Sequence, residues 1–488
     1  MVFGVLIFYL SGIFIPIESW ANEGIDELRV RGEIPVEFIN DMPYDRESVI
    51  KKLAIILIKS NASSKKLLAK RMLELYRIPD SIFEFYGGVK SASDTVSRYL
   101  PKLGINAKLP DFDASFEIKA KFGTSDEYPI KTWHWPEGDT IVGIDFVRAH
   151  TIVKLGSSNI ILGRESIKWG PGPFPSLLIS GCAPPYDLIM CTYKYGRIKG
   201  SFFFAPLDQY VSNDTIINRY QSAHRLSISL FQDNFIIGLS EAMIFARNDI
   251  FSGICYLNPI GFYRLCEYNY HYAREARGLA AFDDNLFWDF DFAWYFGKKN
   301  LYGEFLIDDV GTPTDPHNPF FKDIKSGPVG WTLGFKTVDF FLPRSYWIFQ
   351  YTRVNAFTYF HALKQNYYLY WGYPIGHPRG SDFDELSCKL TYHINVNWDL
   401  NIMFNYMRHG ETILAKDAPQ PPRNCFLCER EKVQKSFDLR VGFTFFRLPW
   451  SVTYGQLGCT WIKNYKHKRG EDKIFPSASL NLEITNIF

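Results

Sequence analysis

The sequence predicts an all-β transmembrane barrel of about 16–18 antiparallel strands, with an N-terminal α-helical periplasmic plug or bundle. Three observations carry that expectation. Apolar and polar residues alternate with period two over most of the chain. The connections between alternating stretches are short on one side and long on the other. Beyond the leader, no stretch approaches the roughly 18 apolar residues that a membrane helix requires.

The leader comes first. Val2 to Ile17 is almost wholly apolar, interrupted by Gly4, Ser11, Gly12 and Pro16, and Ser19-Trp20-Ala21 places small residues at both cleavage positions. Residues 1–21 read as a secretory signal cut after Ala21, although no Lys or Arg precedes the apolar run. An uncleaved anchor is the alternative, with a run that is short for a span. From Asn22 to Arg77 the periodicity is helical: Val49, Ile50, Leu53, Ile56 and Leu57 share a face, and Asp45 after Pro43 suits a cap. Leu68, Met72, Leu75 and Tyr76 mark a second helix that Ile78-Pro79 ends. The basic excess from Lys51 to Arg77 reads either as a solvated face or as a surface for an anionic glycan or membrane. Gly87, Gly88 and the Ser/Asp-rich residues after them read as a linker, so 22–110 is a helical segment with linker and 111–488 the barrel.

Strand periodicity then takes over. Phe116, Ile118, Ala120 and Phe122 alternate with Glu117, Lys119 and Lys121. Trp288, Phe290, Phe292, Trp294 and Phe296 alternate with Asp289 and Asp291, and Leu439, Val441, Phe443 and Phe445 with Arg440 and Thr444. Leu480, Leu482 and Ile484 lead to the terminal Phe488. A single alternating strand also suits a soluble sandwich; the repetition decides. A sheet with one face in hydrocarbon has no water to satisfy an open edge, so it must close. Short turns fall at 156–159, 196–197, 232–234, 297–300, 342–344, 397–398 and 447–450, and long polar connections at 206–222, 247–285, 310–329, 357–385, 409–436 and 463–475. Short turns belong in the periplasm and long loops at the cell surface, with the helical segment on the short-turn side.

Composition narrows the partners. Lys plus Arg total 54 against 52 Asp plus Glu, a net charge of +2, and no basic binding motif points to nucleic acid. Aromatic residues make up 17%, which suits both membrane girdles and sugar-stacking faces. Eight cysteines in an exported chain point to disulfides. Cys425 and Cys428 lack a second pair at zinc spacing, so a loop disulfide or two separate partners is the expectation, with no metal or cofactor.

The organising stretch is Lys168 to Ser180, where Trp169-Gly170-Pro171-Gly172 opens a run that can continue neither helix nor strand. With Leu-Ile-Ser after it, it joins three other clusters: Leu257-Asn258-Pro259 with Asp283-Asp284-Asn285, Leu301 to Asp309, and Gly376 to Asp382. In this order, and with Leu28 to Ile34 near the start, these motifs resemble the Wzi family of capsule assembly outer-membrane proteins. The resemblance covers nearly all of the mature chain. It implies a barrel of about eighteen strands with a periplasmic helical bundle. It also implies a surface lectin that holds capsular polysaccharide on the cell, neither an enzyme nor an open pore.

The residues argue for a glycan site independently. Aromatic faces stack on sugars, carboxylates and guanidinium groups bond hydroxyls, and many weak subsites add along a polymer. Trp169, Tyr268, Tyr270, Glu304, Asp308, Asp309, Arg379, Asp382 and Asp384 are the candidates, with Gly170, Pro171, Gly172, Asn258, Pro259 and Phe488 as structural motif residues. The alternatives stay open: Trp169 as a rim anchor, Glu304, Asp308 and Asp309 as a hydrated wall or a calcium site, and Gly376 to Gly380 as a plain turn. Enzyme motifs are missing: there is no His-Glu-x-x-His, no Gly-x-Ser-x-Gly and no phosphate loop, and the adjacent acids Asp283 and Asp284 are weak grounds for glycoside cleavage. The expected protein is a monomer in outer-membrane lipid that binds capsular or extracellular polysaccharide. A porin or specific channel for charged oligosaccharides is the alternative, from the inward Asp and Lys residues.

Overall fold

The computed structural model describes residues 142–484 except 213, 249–250, 279–282, 309–327, 412–413, 415–425, 428–429 and 448–450. It also describes 20–32, 83–94, 96–109, 112–122, 133–135 and the short pairs 8–9, 14–15, 41–42 and 44–45. The expected helices between Asp45 and Arg77, the Cys425/Cys428 pair, Asp309, Phe488 and most of the leader lie outside the described residues.

Among the described residues, eighteen strands of eight residues or more run antiparallel in one sheet. In chain order they are β1 (Phe83–Asp94), β2 (Val96–Leu109), β3 (Phe112–Phe122), β4 (Val142–Leu155), β5 (Ser158–Glu165) and β6 (Tyr186–Tyr195). Next come β7 (Ile198–Pro206), β8 (Thr215–Leu230), β9 (Phe235–Arg247), β10 (Asn285–Phe296), β11 (Lys299–Asp308) and β12 (Val329–Val338). The last are β13 (Ser345–Val354), β14 (Phe383–His393), β15 (Trp398–His409), β16 (Gln434–Arg447), β17 (Ser451–Lys463) and β18 (Lys473–Ile484). Each pairs with the next, and β18 returns to β1 in register from Ala478↔Ser93 to Ile484↔Gly87, so no long edge is left open.

Alternation sorts the two faces. Leu226, Ile237, Leu239, Phe290, Leu333, Leu386, Leu439, Leu457 and Leu480 are exposed on the outer wall. Their sequence neighbours Arg225, Asp289, Asp291 and Asp438 are buried toward the lumen. Apolar outside and polar inside is the inverse of a soluble barrel and suits a hydrocarbon surround. Cys191, Cys388 and Cys459 stand on the outer wall as thiols, where a small apolar residue suffices, so the expected disulfide network is confined to Cys255–Cys266 among the described cysteines.

Helix α1 (Trp20–Val30) lies inside the lumen at the short-turn end. Its acids sit at spacings of three and four, on one face of the helix. Asp26 pairs with Lys336 at 2.8 Å and accepts from the Tyr346 hydroxyl at 2.7 Å. Glu27 faces Arg31 and His393 at 2.6 and 2.9 Å, and Glu23 faces Lys389. Arg31 reaches Asp339 in the turn between β12 and β13, which fixes α1 to the turn end. Of the helical segment expected from Asn22 to Arg77, the described residues hold α1, which begins at Trp20.

Two boundaries differ from the sequence reading. Residues 83–109, within the segment 22–110 expected as helix and linker, form β1 and β2, paired from Phe83↔Ala107 to Asp94↔Val96. Gly87, Gly88, Ser91 and Ser93 weaken the strand pattern there, and the pairing on both sides supplies what propensity does not. The connection read at 206–222 is shorter, because β8 starts at Thr215 and a small strand at Tyr210–Ser212 folds onto it.

Helix α2 (Tyr263–Glu275), which the periodicity reading missed, follows a 3-10 turn at Phe251–Leu257. Both pack on the outer wall rather than in the lumen. Tyr256, Tyr263 and Cys266 cluster with Phe204, Met243, Phe245 and Leu286, all on the outward parity of β7, β9 and β10. Outward Glu241 accepts the Tyr263 amide at 2.8 Å and the Trp288 indole at 2.8 Å, which seats the start of the helix on the wall.

Candidate functional site

The loop between β5 and β6 enters the barrel mouth instead of projecting from it. Lys168 and Trp169 pair with Ile179–Ser180 on one side and with Asp41–Met42 on the other, a small sheet inside the lumen. Gly170 has φ +137, and a Cβ there would lie 2.4 Å from the Ser176 hydroxyl, so only glycine fits. The Gly172 carbonyl accepts from Lys168 Nζ at 2.7 Å, and the Pro171 carbonyl from Lys336 Nζ at 3.1 Å. Burial pushes the Lys168 ammonium down to about 8. Trp169 is fully enclosed, edge-on to Phe203 with ring centroids 5.5 Å apart.

The loop between β13 and β14 closes over it. Tyr359 donates its hydroxyl to the Leu177 carbonyl at 2.7 Å, and Ser180 donates its amide to the Ile375 carbonyl at 3.1 Å. Gly376 sits against this contact, where a Cβ would be 2.5 Å from the Leu177 oxygen. Tyr186 stacks on Tyr370 at 5.2 Å, and Arg219 donates to the carbonyls of Gln365, Tyr367 and Leu369. The two loops therefore share one apolar core that fills the mouth. His377, buried in it against Phe383, is held down to about 3 by burial and then by Arg379.

The nine candidates do not form one site. Glu304 accepts the amides of Leu177 and Leu178 at 2.7 and 3.3 Å, and Asp308 accepts the amide of Tyr359. Asp382, at φ +60, accepts the Leu427 amide at 2.6 Å while its carbonyl takes the Gly410 amide. With Trp169 these residues are buried and hold the loops. Asp384 faces the outer wall, where Arg408 grips it and the Tyr351 hydroxyl donates to it at 2.8 Å. Tyr268 and Tyr270 lie half-buried on α2, with Arg264 over the Tyr268 ring. Asn258 makes a side-chain turn by accepting the amides of Ile260 and Gly261, and Pro259 lies within that turn. Among the described candidates only Arg379, bonded to Glu385 at 3.3 Å, reaches the solvent at the mouth.

What the mouth offers to solvent lies elsewhere. Glu411, Glu431, Lys432, Lys466, His467, Lys468 and Arg469 line an open cleft of about 630 Å³ beside β15 to β17. Lys466 and His467 hold φ values of +54 and +59, unusual for residues with a Cβ. The run from Lys463 to Arg469 was visible in the sequence as a charge cluster, but only the fold turns it toward Lys432 and Glu431. Trp371 stands half-exposed across the mouth, its amide on Asp208 at 2.9 Å. Asp283 is held below its ordinary value first by the hydrogen bond from His361, while partial burial opposes the shift. No group of three or more His, Cys, Asp or Glu side chains among the described residues is arranged to hold a metal.

The family described as Capsule assembly protein Wzi matches residues 112–474. No curated protein matches the sequence. Among solved structures, Wzi of Escherichia coli, described as an outer-membrane protein involved in group 1 capsule assembly and a carbohydrate-binding β-barrel, is similar to this chain. The TM-score is 0.69 at 14% identity, over 97% of this chain and 99% of that one. OprD of Pseudomonas aeruginosa gives a TM-score of 0.46 at 8% identity, over 83% of this chain and 94% of that one.

Proposed function

The chain belongs to the Wzi family of capsule assembly proteins, and from that premise we propose that it is an outer-membrane lectin that binds capsular or extracellular polysaccharide and anchors it to the cell surface. One observation carries the reading. The mouth is filled by a shared core of two inward loops, and the polar groups left to solvent sit in an open cleft suited to a polymer lying across it. Trp169, Glu304, Asp308 and Asp382 position that surface from beneath. Arg379, the cleft residues Lys432, Lys466 and Arg469, and the half-exposed Trp371 supply contacts. Many such weak contacts along a repeating chain add to firm retention. Asp309 joins this contact set, and Tyr268 with Tyr270 extends it over the flank.

The role is binding rather than catalysis, and the protein acts as a monomer after loss of residues 1–21. Asp284, the most enclosed of the paired acids, is committed to Arg247 and to the Tyr256 hydroxyl at 2.8 Å, so it is not free to act as an acid or base on substrate. The test is a deletion strain with complementation. Polymer should still be made but be released to the medium, and the wild-type gene should restore it to cells. Unchanged retention in the deletion strain ends the anchoring reading.

A further inference from the structure

Outside the mouth, the register of the barrel aligns a row of charge that the polysaccharide reading does not use. Arg353, Asp384, Arg408, Lys435 and Lys463 are direct partners across five successive strands, β13 to β17. Each lies within one residue of the loop-side end of its strand. All five share the outward parity of Leu386, Phe404, Leu439 and Trp461, so they stand on the lipid side of the wall. One pleat deeper on the same face runs Tyr351, Leu386, Tyr406, Phe437 and Trp461, again direct partners. The rings of that row touch, Tyr406 to Phe437 at 4.7 Å and Phe437 to Trp461 at 5.1 Å. An aromatic row of this kind marks the membrane interface.

Four cations and one carboxylate stand immediately above it. Asp384 is taken by Arg408 and by the Tyr351 hydroxyl. Among the described residues no carboxylate pairs with Lys435 or Lys463, although the two are cross-strand partners with Arg408 on the far side of Lys435. Like charges placed directly opposite on one face repel, and a barrel wall gains nothing structural from them. An anion between them removes the conflict. Above an aromatic belt, the anions at that depth are headgroup phosphates, which guanidinium and ammonium groups bind through short charge-assisted bonds. We propose that the Arg408, Lys435 and Lys463 end of this outward row binds the phosphate groups of lipid headgroups in the outer leaflet. The proposal rests on the membrane placement of the barrel and not on the polysaccharide reading.

The test uses the full chain, purified in detergent and placed in nanodiscs with a bisphosphorylated glycolipid or with its dephosphorylated form. Lipid carried through delipidation is counted by native mass spectrometry. Wild type should retain the phosphorylated glycolipid, and K435Q/K463Q should retain less by about tenfold or more, with K435R/K463R restoring it. A cleft variant, K466Q/K468Q, should retain it as wild type does. Unboiled gel mobility reports that each variant is folded, and if the double variant does not fold, K463Q alone carries the comparison. Equal retention by K435Q/K463Q, or equal retention of the dephosphorylated lipid, overturns the proposal. So does displacement by millimolar inorganic phosphate alone, which would make the row a site for free phosphate.

Discussion

Glu304 illustrates how a side chain can be singled out for the wrong task. The sequence marks it within Leu301 to Asp309, and a carboxylate there suits a sugar hydroxyl; its partners, the amides of Leu177 and Leu178, are 127 and 126 residues away and invisible to any local pattern. Glu304→Ala leaves both amides buried without an acceptor, at a cost of about 1–3 kcal/mol each. Hydrogen exchange at Leu177 and Leu178 should accelerate in this variant while the barrel amides stay protected; unchanged exchange would remove Glu304 from this role. His377 allows a pH prediction. Its ring titrates near 6.5 ordinarily but is held at about 3 in the closed loop, first by burial and then by Arg379. An opened loop therefore binds a proton that the closed loop excludes, so closure is fully stable above 6.5 and weakens as pH falls toward 3. Exchange at residues 375–382, corrected for intrinsic rate, should rise between pH 7 and about 4.5, and His377→Asn should flatten that rise. Arg379 lies exposed beside Glu385, in a Gly-His-Pro-Arg-Gly segment whose composition already marks a turn.

At the scale of elements, α1 and α2 were read with opposite success. The expectation of a helix after Asn22 holds in Trp20–Val30. Its place inside the lumen follows from Asp26 and Glu27 meeting Lys336 and His393, more than 300 residues later, which periodicity cannot foresee. Removing a buried charge strands its partner, at a cost of about 3–5 kcal/mol. The combined variant Asp26→Ala/Glu27→Ala should accordingly loosen α1. Planar bilayers should then register conductance events that wild type lacks, and a silent variant would show that α1 does not seal the lumen. Helix α2 escaped detection because its apolar side meets a barrel wall, and its aromatic residues read as loop contacts. The Cys255–Cys266 bridge spans the turn before it. Cys255→Ser/Cys266→Ser should lower the stability of this flank by about 2–4 kcal/mol, seen as earlier proteolysis between 247 and 285 with the barrel intact.

The whole barrel was the most legible level, since alternation, loop asymmetry and the need to close an edge in hydrocarbon all pointed to it. It should migrate differently in boiled and unboiled gels; identical mobility would contradict a closed sheet. What composition hid was the seam, because Gly87 and Gly88 weaken β1 where it meets β18. Inside the cylinder, Lys336 holds the Asp26 carboxylate of α1 and the Pro171 carbonyl of the inward loop with one ammonium group. Floor and ceiling thus hang from a single nail driven through the wall. A long polymer tugging at the mouth loads that nail and, through it, the helix beneath, so traction at the exterior is shared by the full height of the cylinder. Such a body works as a mooring post, and its rigidity rather than any passage through it is what the strands provide.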